Sequence, residues 1–112
     1  PGNPARAGGF AAVADSRGRI LLFDVATGSM RGQIALDRAL AGSVLGHGNH
    51  LIALTKDGRL WIYDPAKERE ICHASLGGSA RFPPALLDRS RLAVSVDRES
   101  ITVIELGSIL GN

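Results

Sequence analysis

Apolar residues come in short runs along this chain, and the runs return at a nearly fixed interval. Arg19-Ile20-Leu21-Leu22-Phe23-Asp24, Arg59-Leu60-Trp61-Ile62-Tyr63-Asp64 and Ser100-Ile101-Thr102-Val103-Ile104-Glu105 are versions of one phrase. Asp64 follows Asp24 by 40 residues and Glu105 follows Asp64 by 41. A self-similar step of this size marks a solenoid, propeller or array. A second apolar run precedes each phrase, as Ala11-Ala12-Val13-Ala14, Leu51-Ile52-Ala53-Leu54 and Leu92-Ala93-Val94-Ser95.

The two runs are joined by tight turns that carry Gly18 in the first copy and Gly58 in the second, with Glu99 in that place in the third. Asp57-Gly58 between apolar runs predicts a two-residue hairpin turn, because glycine accepts the positive φ such turns need. Glu99 predicts a differently built third turn. A third strand follows at Met30 to Leu36 and at Glu70 to Leu76. A fourth precedes the next repeat, at Gly42-Ser43-Val44-Leu45 and at Pro83-Pro84-Ala85-Leu86-Leu87. Four strands of about five residues with short loops use about 40 residues, the size of one antiparallel blade.

Leu60-Trp61-Ile62-Tyr63 is apolar on successive residues, although strand side chains alternate between faces, so both faces of this strand must be covered. A sheet held between two similar sheets provides that cover. Turn glycines and β-branched residues disfavour helical repeats, leaving only 37–41 as a place for a helical turn. The fold class is therefore all-β: β-propeller blades built as four-stranded antiparallel sheets, about two and a half of them, forming part of a ring. Residues 1–9 read as an N-terminal segment, 10–40 as a partial blade without a clear opening strand, and 41–80 as a complete blade. Residues 81–106 read as a second partial blade, and 107–112 as a tail. Such a stack exposes an apolar face at each end, which further chain, a partner subunit or a second copy must cover.

Asp15-Ser16-Arg17-Gly18-Arg19-Ile20-Leu21-Leu22-Phe23-Asp24-Val25-Ala26-Thr27-Gly28 resembles the quinoprotein-like (PQQ-like) β-propeller repeat: strand, turn glycine, strand ending in Asp, then Thr-Gly. The resemblance runs from about Phe10 to Glu105. The second copy keeps Gly58 and Asp64 but has Lys67-Glu68 in place of Thr-Gly, and Phe82-Pro83-Pro84-Ala85-Leu86-Leu87-Asp88 is similar to that family's inner strand. Trp-Asp repeat propellers are the nearest competitor, with Tyr63-Asp64 in place of their signature dipeptide. The resemblance implies a docking tryptophan four residues after Thr-Gly, where this chain has Gly32 and Cys72. It also implies calcium and quinone ligands, which these residues do not match, so it supports the fold and not a dehydrogenase.

Composition changes this picture little. With 112 residues, 45% apolar and 21% charged, the chain can bury a core, and its net charge of +2 is spread among acids rather than gathered in a basic run. Without interleaved aromatics there is no stacking platform for nucleic acid. No apolar stretch reaches the length of a membrane span, and the opening residues do not form a signal peptide. A first residue other than Met is what a processed or excised piece would show. The single cysteine, Cys72, excludes an internal disulfide and leaves the compartment unspecified.

Candidate chemistry is sparse. His47 and His50 could present two imidazoles, but a turn of small polar residues accounts for them without a metal. Cys72 and His73 are adjacent on a strand and point to opposite faces, so they do not form a nucleophile and base. Asp24, Asp64 and Glu105 stand one per blade, as acids that receive backbone N–H groups of the following turn. The repeat positions Gly18, Asp24, Gly58, Trp61, Asp64 and Glu105 are thus read as structural, with no catalytic residue, metal ligand or cofactor assigned. The expectation is a non-catalytic scaffold that binds protein, within a larger protein or assembly. The alternatives are the scaffold part of a quinoprotein-type enzyme and a fragment that assembles with itself into a closed ring.

Overall fold

A computed structural model describes residues 4–15, 17–80, 82, 84–96 and 101–107. Within them the chain folds into three antiparallel sheets. The first holds β1 (Ala5–Ala7), β2 (Phe10–Ala14), β3 (Arg19–Asp24) and β4 (Met30–Ala35), and the middle one holds β5 (Leu45–His47), β6 (His50–Leu54), β7 (Arg59–Asp64) and β8 (Arg69–Ser75). The third has β9 (Ala85–Leu86), β10 (Arg91–Val94) and β11 (Thr102–Glu105). In each sheet, strands adjacent in sequence pair with one another, as in an up-and-down blade.

Alternation divides the core in two. Leu51, Ala53 and Trp61 of the middle sheet pack with Ala12, Ala14, Ile20 and Leu22 of the first. Their chain neighbours Ile52, Leu54, Leu60 and Ile62 pack with Leu92 and Val94 of the third. A period-2 strand can be apolar on every residue only when a sheet lies against each of its faces. That is why Leu60, Trp61 and Ile62 are all buried.

Four local expectations are corrected. The first sheet has an opening strand after all: Ala5, Arg6 and Ala7 pair with Ala12, Ala11 and Phe10. The segment carries no β-branched residue and is flanked by Pro4 and Gly8-Gly9, so it lacks the usual strand signature, yet Ala5 and Ala7 are buried. The inner strand of the middle sheet is Leu45–His47 rather than 42–45, which places His47 in a strand opposite His50. The stretch 37–41 is not helical: Asp37 sits at φ 56, and Leu40 bridges to Thr55. Gly58 closes a three-residue loop, not a two-residue one, since the Thr55 N–H donates to the Arg59 carbonyl at 2.9 Å and the Gly58 N–H to the Thr55 carbonyl at 3.0 Å. Glycine here follows the turn as the extra left-handed residue, at φ 82. The third turn, with Asp97, Arg98 and Glu99, lies outside the described residues, as do Ser100 and Pro83.

Candidate functional site

Each sheet has an upstream face, turned toward the preceding sheet, and a downstream face, turned toward the following one. In the middle sheet the upstream set is Leu51, Ala53, Trp61 and Tyr63, cross-paired Leu51 to Tyr63 and Ala53 to Trp61. One period earlier the same places hold Ala11, Val13, Leu21 and Phe23, paired Ala11 to Phe23 and Val13 to Leu21. These four are half-buried on the outside of the stack. A shallow concavity of about 330 Å³ runs over Val13, Leu21 and Gln33, edged by Asp15 and Arg19. At the other end, Ala93 and Val103 pair on the open downstream face, with Val103 50% and Ile101 69% exposed. Large aliphatic side chains at that exposure form an apolar patch.

The repeated acids do not converge. Asp24 Oδ1 accepts the N–H groups of Ala26 (2.9 Å) and Thr27 (3.3 Å), and Asp64 Oδ1 those of Ala66 (3.0 Å) and Lys67 (3.2 Å). Each carboxylate thereby fastens the turn after its own strand. Asp64 is buried, with His50 Nε2 at 4.0 Å from its Oδ2. Glu105 lies on β11 directly opposite Arg91. Trp61 is 2% exposed within the joint between the first two sheets, and Gly18 and Gly58 sit in the turns at φ 86 and 82.

The histidines, although directly opposed across β5 and β6, and the cysteine are each engaged with different partners. His47 Nε2 lies 2.6 Å from the Arg89 carbonyl, a tie between the middle and third sheets, while His50 faces Asp64. Among the described residues no three His, Cys, Asp or Glu side chains form a group able to hold a metal. Cys72 pairs with Ile62 and His73 with Trp61, on opposite faces, and His73 Nδ1 is 2.9 Å from Glu70 Oε1. Burial pushes the Cys72 thiol up, with Glu70 adding to the effect, which disfavours the reactive thiolate.

At the turn ends, acids pair with neighbouring arginines. Arg91 Nε and Nη2 both reach Asp88 Oδ2, at 2.8 and 2.7 Å, and with the Ser90 N–H they hold the Asp88 carboxyl down to about 2. Asp57 accepts from the Thr55 hydroxyl and from Arg38, which reaches it from the segment leaving the first sheet. These contacts hold Asp57 below the usual carboxylate range, the Thr55 hydroxyl most of all.

One repeated feature escaped the sequence, a bulge that occurs in two of the sheets. The β3–β4 pairing slips between Leu22 and Phe23, and the β7–β8 pairing slips between Ile62 and Tyr63, so Arg31 and Ile71 are bulged one period apart. Beside the first bulge, where the resemblance places a docking tryptophan, Gly32 borders a cavity of about 210 Å³ with Phe10, Leu22, Ile34, Tyr63 and Pro65.

No protein family and no curated protein matches the chain. Solved structures do. BamB from Moraxella catarrhalis superposes with a TM-score of 0.73 at 18% identity, covering 94% of this chain and 34% of that one. Kuenenia stuttgartiensis hydrazine synthase gives 0.75 at 15%, covering 95% and 32%. The β-propeller domain of Cps50 (Swd1) from Myceliophteria thermophila gives 0.69 at 12%, covering 93% and 36%. The chain spans about a third of each of these structures, and at such identities the likeness speaks for the fold alone. Three stacked antiparallel sheets with both end faces open, superposable on propellers over nearly the whole chain, make this a partial β-propeller.

Proposed function

We propose that this chain is a non-catalytic propeller segment that serves as a protein-interaction scaffold. The observation that carries the reading is the pair of open end faces. Ala11, Val13, Leu21 and Phe23 at one end and Ala93, Ile101 and Val103 at the other are the repeat counterparts of residues that the molecule buries between its own sheets. Apolar sheet faces of this kind are stable in water only under a protein cover. The chemistry-bearing side chains support the same reading, because Asp24, Asp64, His47 and Cys72 are each engaged in holding turns or sheets together. Hydrazine synthase among the structural neighbours carries an enzyme's name, so the fold does not supply this conclusion.

The experiment compares immobilised chain with a Leu21→Asp/Val103→Asp variant, and separately titrates the chain with calcium and pyrroloquinoline quinone. Protein retained by the unmodified chain and lost from the variant is the expected result, with no quinone taken up. Saturable quinone binding with calcium-dependent dye reduction would overturn the reading in favour of a quinoprotein scaffold.

A further inference from the structure

The outer edges of the two four-stranded sheets differ. Among the described residues β4 and β8 are the outermost strands of the first and middle sheets, so each turns a row of backbone groups away from its own sheet. β8 carries Arg69, Glu70 and His73 along that edge, the last two paired at 2.9 Å. Charges on an edge discourage a further strand. β4 has only Arg31, which the bulge sets aside, and this leaves Gly32, Gln33, Ile34 and Ala35 as an edge with neither charge nor proline. The Leu36 N–H donates to the Gly18 carbonyl at 3.0 Å, and antiparallel pairing alternates. Ile34 and Gly32 therefore bond inward to β3, while Ala35 and Gln33 turn their N–H and C=O groups outward.

Behind this edge lies the cavity of about 210 Å³ between the first and middle sheets. Gly32 pairs with Leu22, on the face of the first sheet that meets the middle sheet, and a Cβ there would meet nothing beyond its chain neighbours within 4 Å. One period on, Cys72 holds the same place and packs against the second core cluster. Phe10, Tyr63 and Pro65 wall the space, and the exposed Arg31 and Glu68 mark its mouth. It is smaller than the roughly 300 Å³ at which pockets for cofactor-sized molecules begin, and larger than the roughly 150 Å³ that holds benzene. That is room for one ring, and aromatic walls favour a ring.

From this we infer that β4 accepts an extended segment of a partner protein as a fifth strand, with one aromatic side chain of that segment seated in the cavity at Gly32. An extended chain is what satisfies a row of alternating N–H and C=O groups. In strand addition those bonds give the affinity, and pockets for alternate side chains give the choice of partner. A residue of the added strand that lies across from Gly32 shares its face of the sheet, which is the face holding the cavity. The two features thus select one occupant together. The edge asks for an extended backbone, and the cavity asks for a ring at one position along it.

This surface is separate from the open end faces, and the test keeps the two apart. Phage-displayed random dodecapeptides selected on the immobilised chain supply the probe, and the most enriched one is then titrated as a synthetic peptide. Enriched peptides are expected to share one aromatic residue among β-branched neighbours. Binding should slow hydrogen exchange at the Gln33 and Ala35 amides. Gln33→Pro removes an outward N–H and spares the ladder to β3, as proline does at a strand edge, and should weaken binding roughly tenfold. Gly32→Leu fills the cavity from within and should weaken it roughly a hundredfold. The Leu21→Asp/Val103→Asp variant should bind as the unmodified chain does. No enriched peptide, enriched peptides without an aromatic residue, or slowed exchange only at other strands would each overturn the inference. So would binding that survives both Gln33→Pro and Gly32→Leu. Binding lost only from the Leu21→Asp/Val103→Asp variant would overturn it too, and would leave the scaffold reading standing. Quinone uptake would overturn the scaffold reading and leave the β4 result as it is. Far-ultraviolet circular dichroism checks that each variant keeps its sheets, and if one does not, the exchange pattern of the unmodified chain decides.

Discussion

Trp61 and Tyr63 stack with ring centroids 5.2 Å apart and planes 13° from parallel, two residues apart on one strand and so on one face. The pair lies on the upstream face of the middle sheet, where Trp61 joins the core cluster shared with the first sheet and Tyr63 packs against it. Trp61 is the largest side chain in that joint and is almost wholly buried. Trp61→Ala is expected to destabilise the chain by about 3–5 kcal/mol, the range for truncating a large core aromatic. Urea unfolding followed by circular dichroism measures it. A loss under about 1 kcal/mol would mean that the two sheets do not meet at this strand.

Gly58 is constrained twice. Its φ is 82, and a Cβ there would stand 2.6 Å from the Gly78 carbonyl oxygen and 2.7 Å from that of Gly77. Gly28 has a similar φ of 73 but open space around it. Gly28→Ala is expected to cost about 1–2 kcal/mol, from backbone conformation alone. Gly58→Ala should cost clearly more, because backbone atoms of the next linker must also move. Equal losses for the two would show that the 77–78 segment does not lie over the turn.

Glu68 occupies the place that Gly28 fills one repeat earlier, and it adopts the same left-handed conformation at φ 51. A glutamate pays the Cβ clash that glycine avoids. Glu68→Gly should therefore stabilise the chain by about 1 kcal/mol, a gain readable as a higher urea midpoint with unchanged slope. A destabilised variant would mean that the turn after Asp64 is shaped differently from the turn after Asp24.

Asp88 titrates low, about 2 against an ordinary 3.8, through the Arg91 guanidinium first and the Ser90 N–H second. A depressed carboxyl binds its proton less readily in the folded chain than in the unfolded one. Its contribution to stability is therefore full above about 3.8 and is lost as the pH falls toward 2. A carbon-detected NMR titration is expected to find the Asp88 midpoint near 2, and Arg91→Ala should move it up toward 3.8. A midpoint near 3.8 in the unmodified chain would mean that the Arg91 fork is not formed in solution.

The middle sheet was the part of this fold most legible in the residues. Leu60-Trp61-Ile62 carries its own demand for two neighbours, because no strand can hide three successive large apolar side chains against one surface. The inner strands were harder. Ala5-Arg6-Ala7 has no β-branched or aromatic residue, and it becomes a strand because β2 offers an unpaired edge and the middle sheet buries its alanines. The bulges at Arg31 and Ile71 leave no mark in composition, since a bulge depends on how two strands fit and not on one strand's residues. His47 looked like a loop residue between glycines, and only the pairing of Leu45–His47 with β6 turns it toward the Arg89 carbonyl. The acids at 24 and 64 could be read as turn fasteners from spacing alone, because Asp before a tight turn receives the N–H groups two and three residues on.

Nuclear Overhauser contacts between side chains test the stacking of the sheets most directly. Contacts are expected from the Trp61 indole to methyl groups of Ala14, Ile20 or Leu22, and from Ile62 methyls to those of Leu92 or Val94, so that neighbours on one strand touch different sheets. If Trp61 and Ile62 contacted the same sheet, or if one of them showed contacts only within its own sheet, the stacked arrangement would be contradicted.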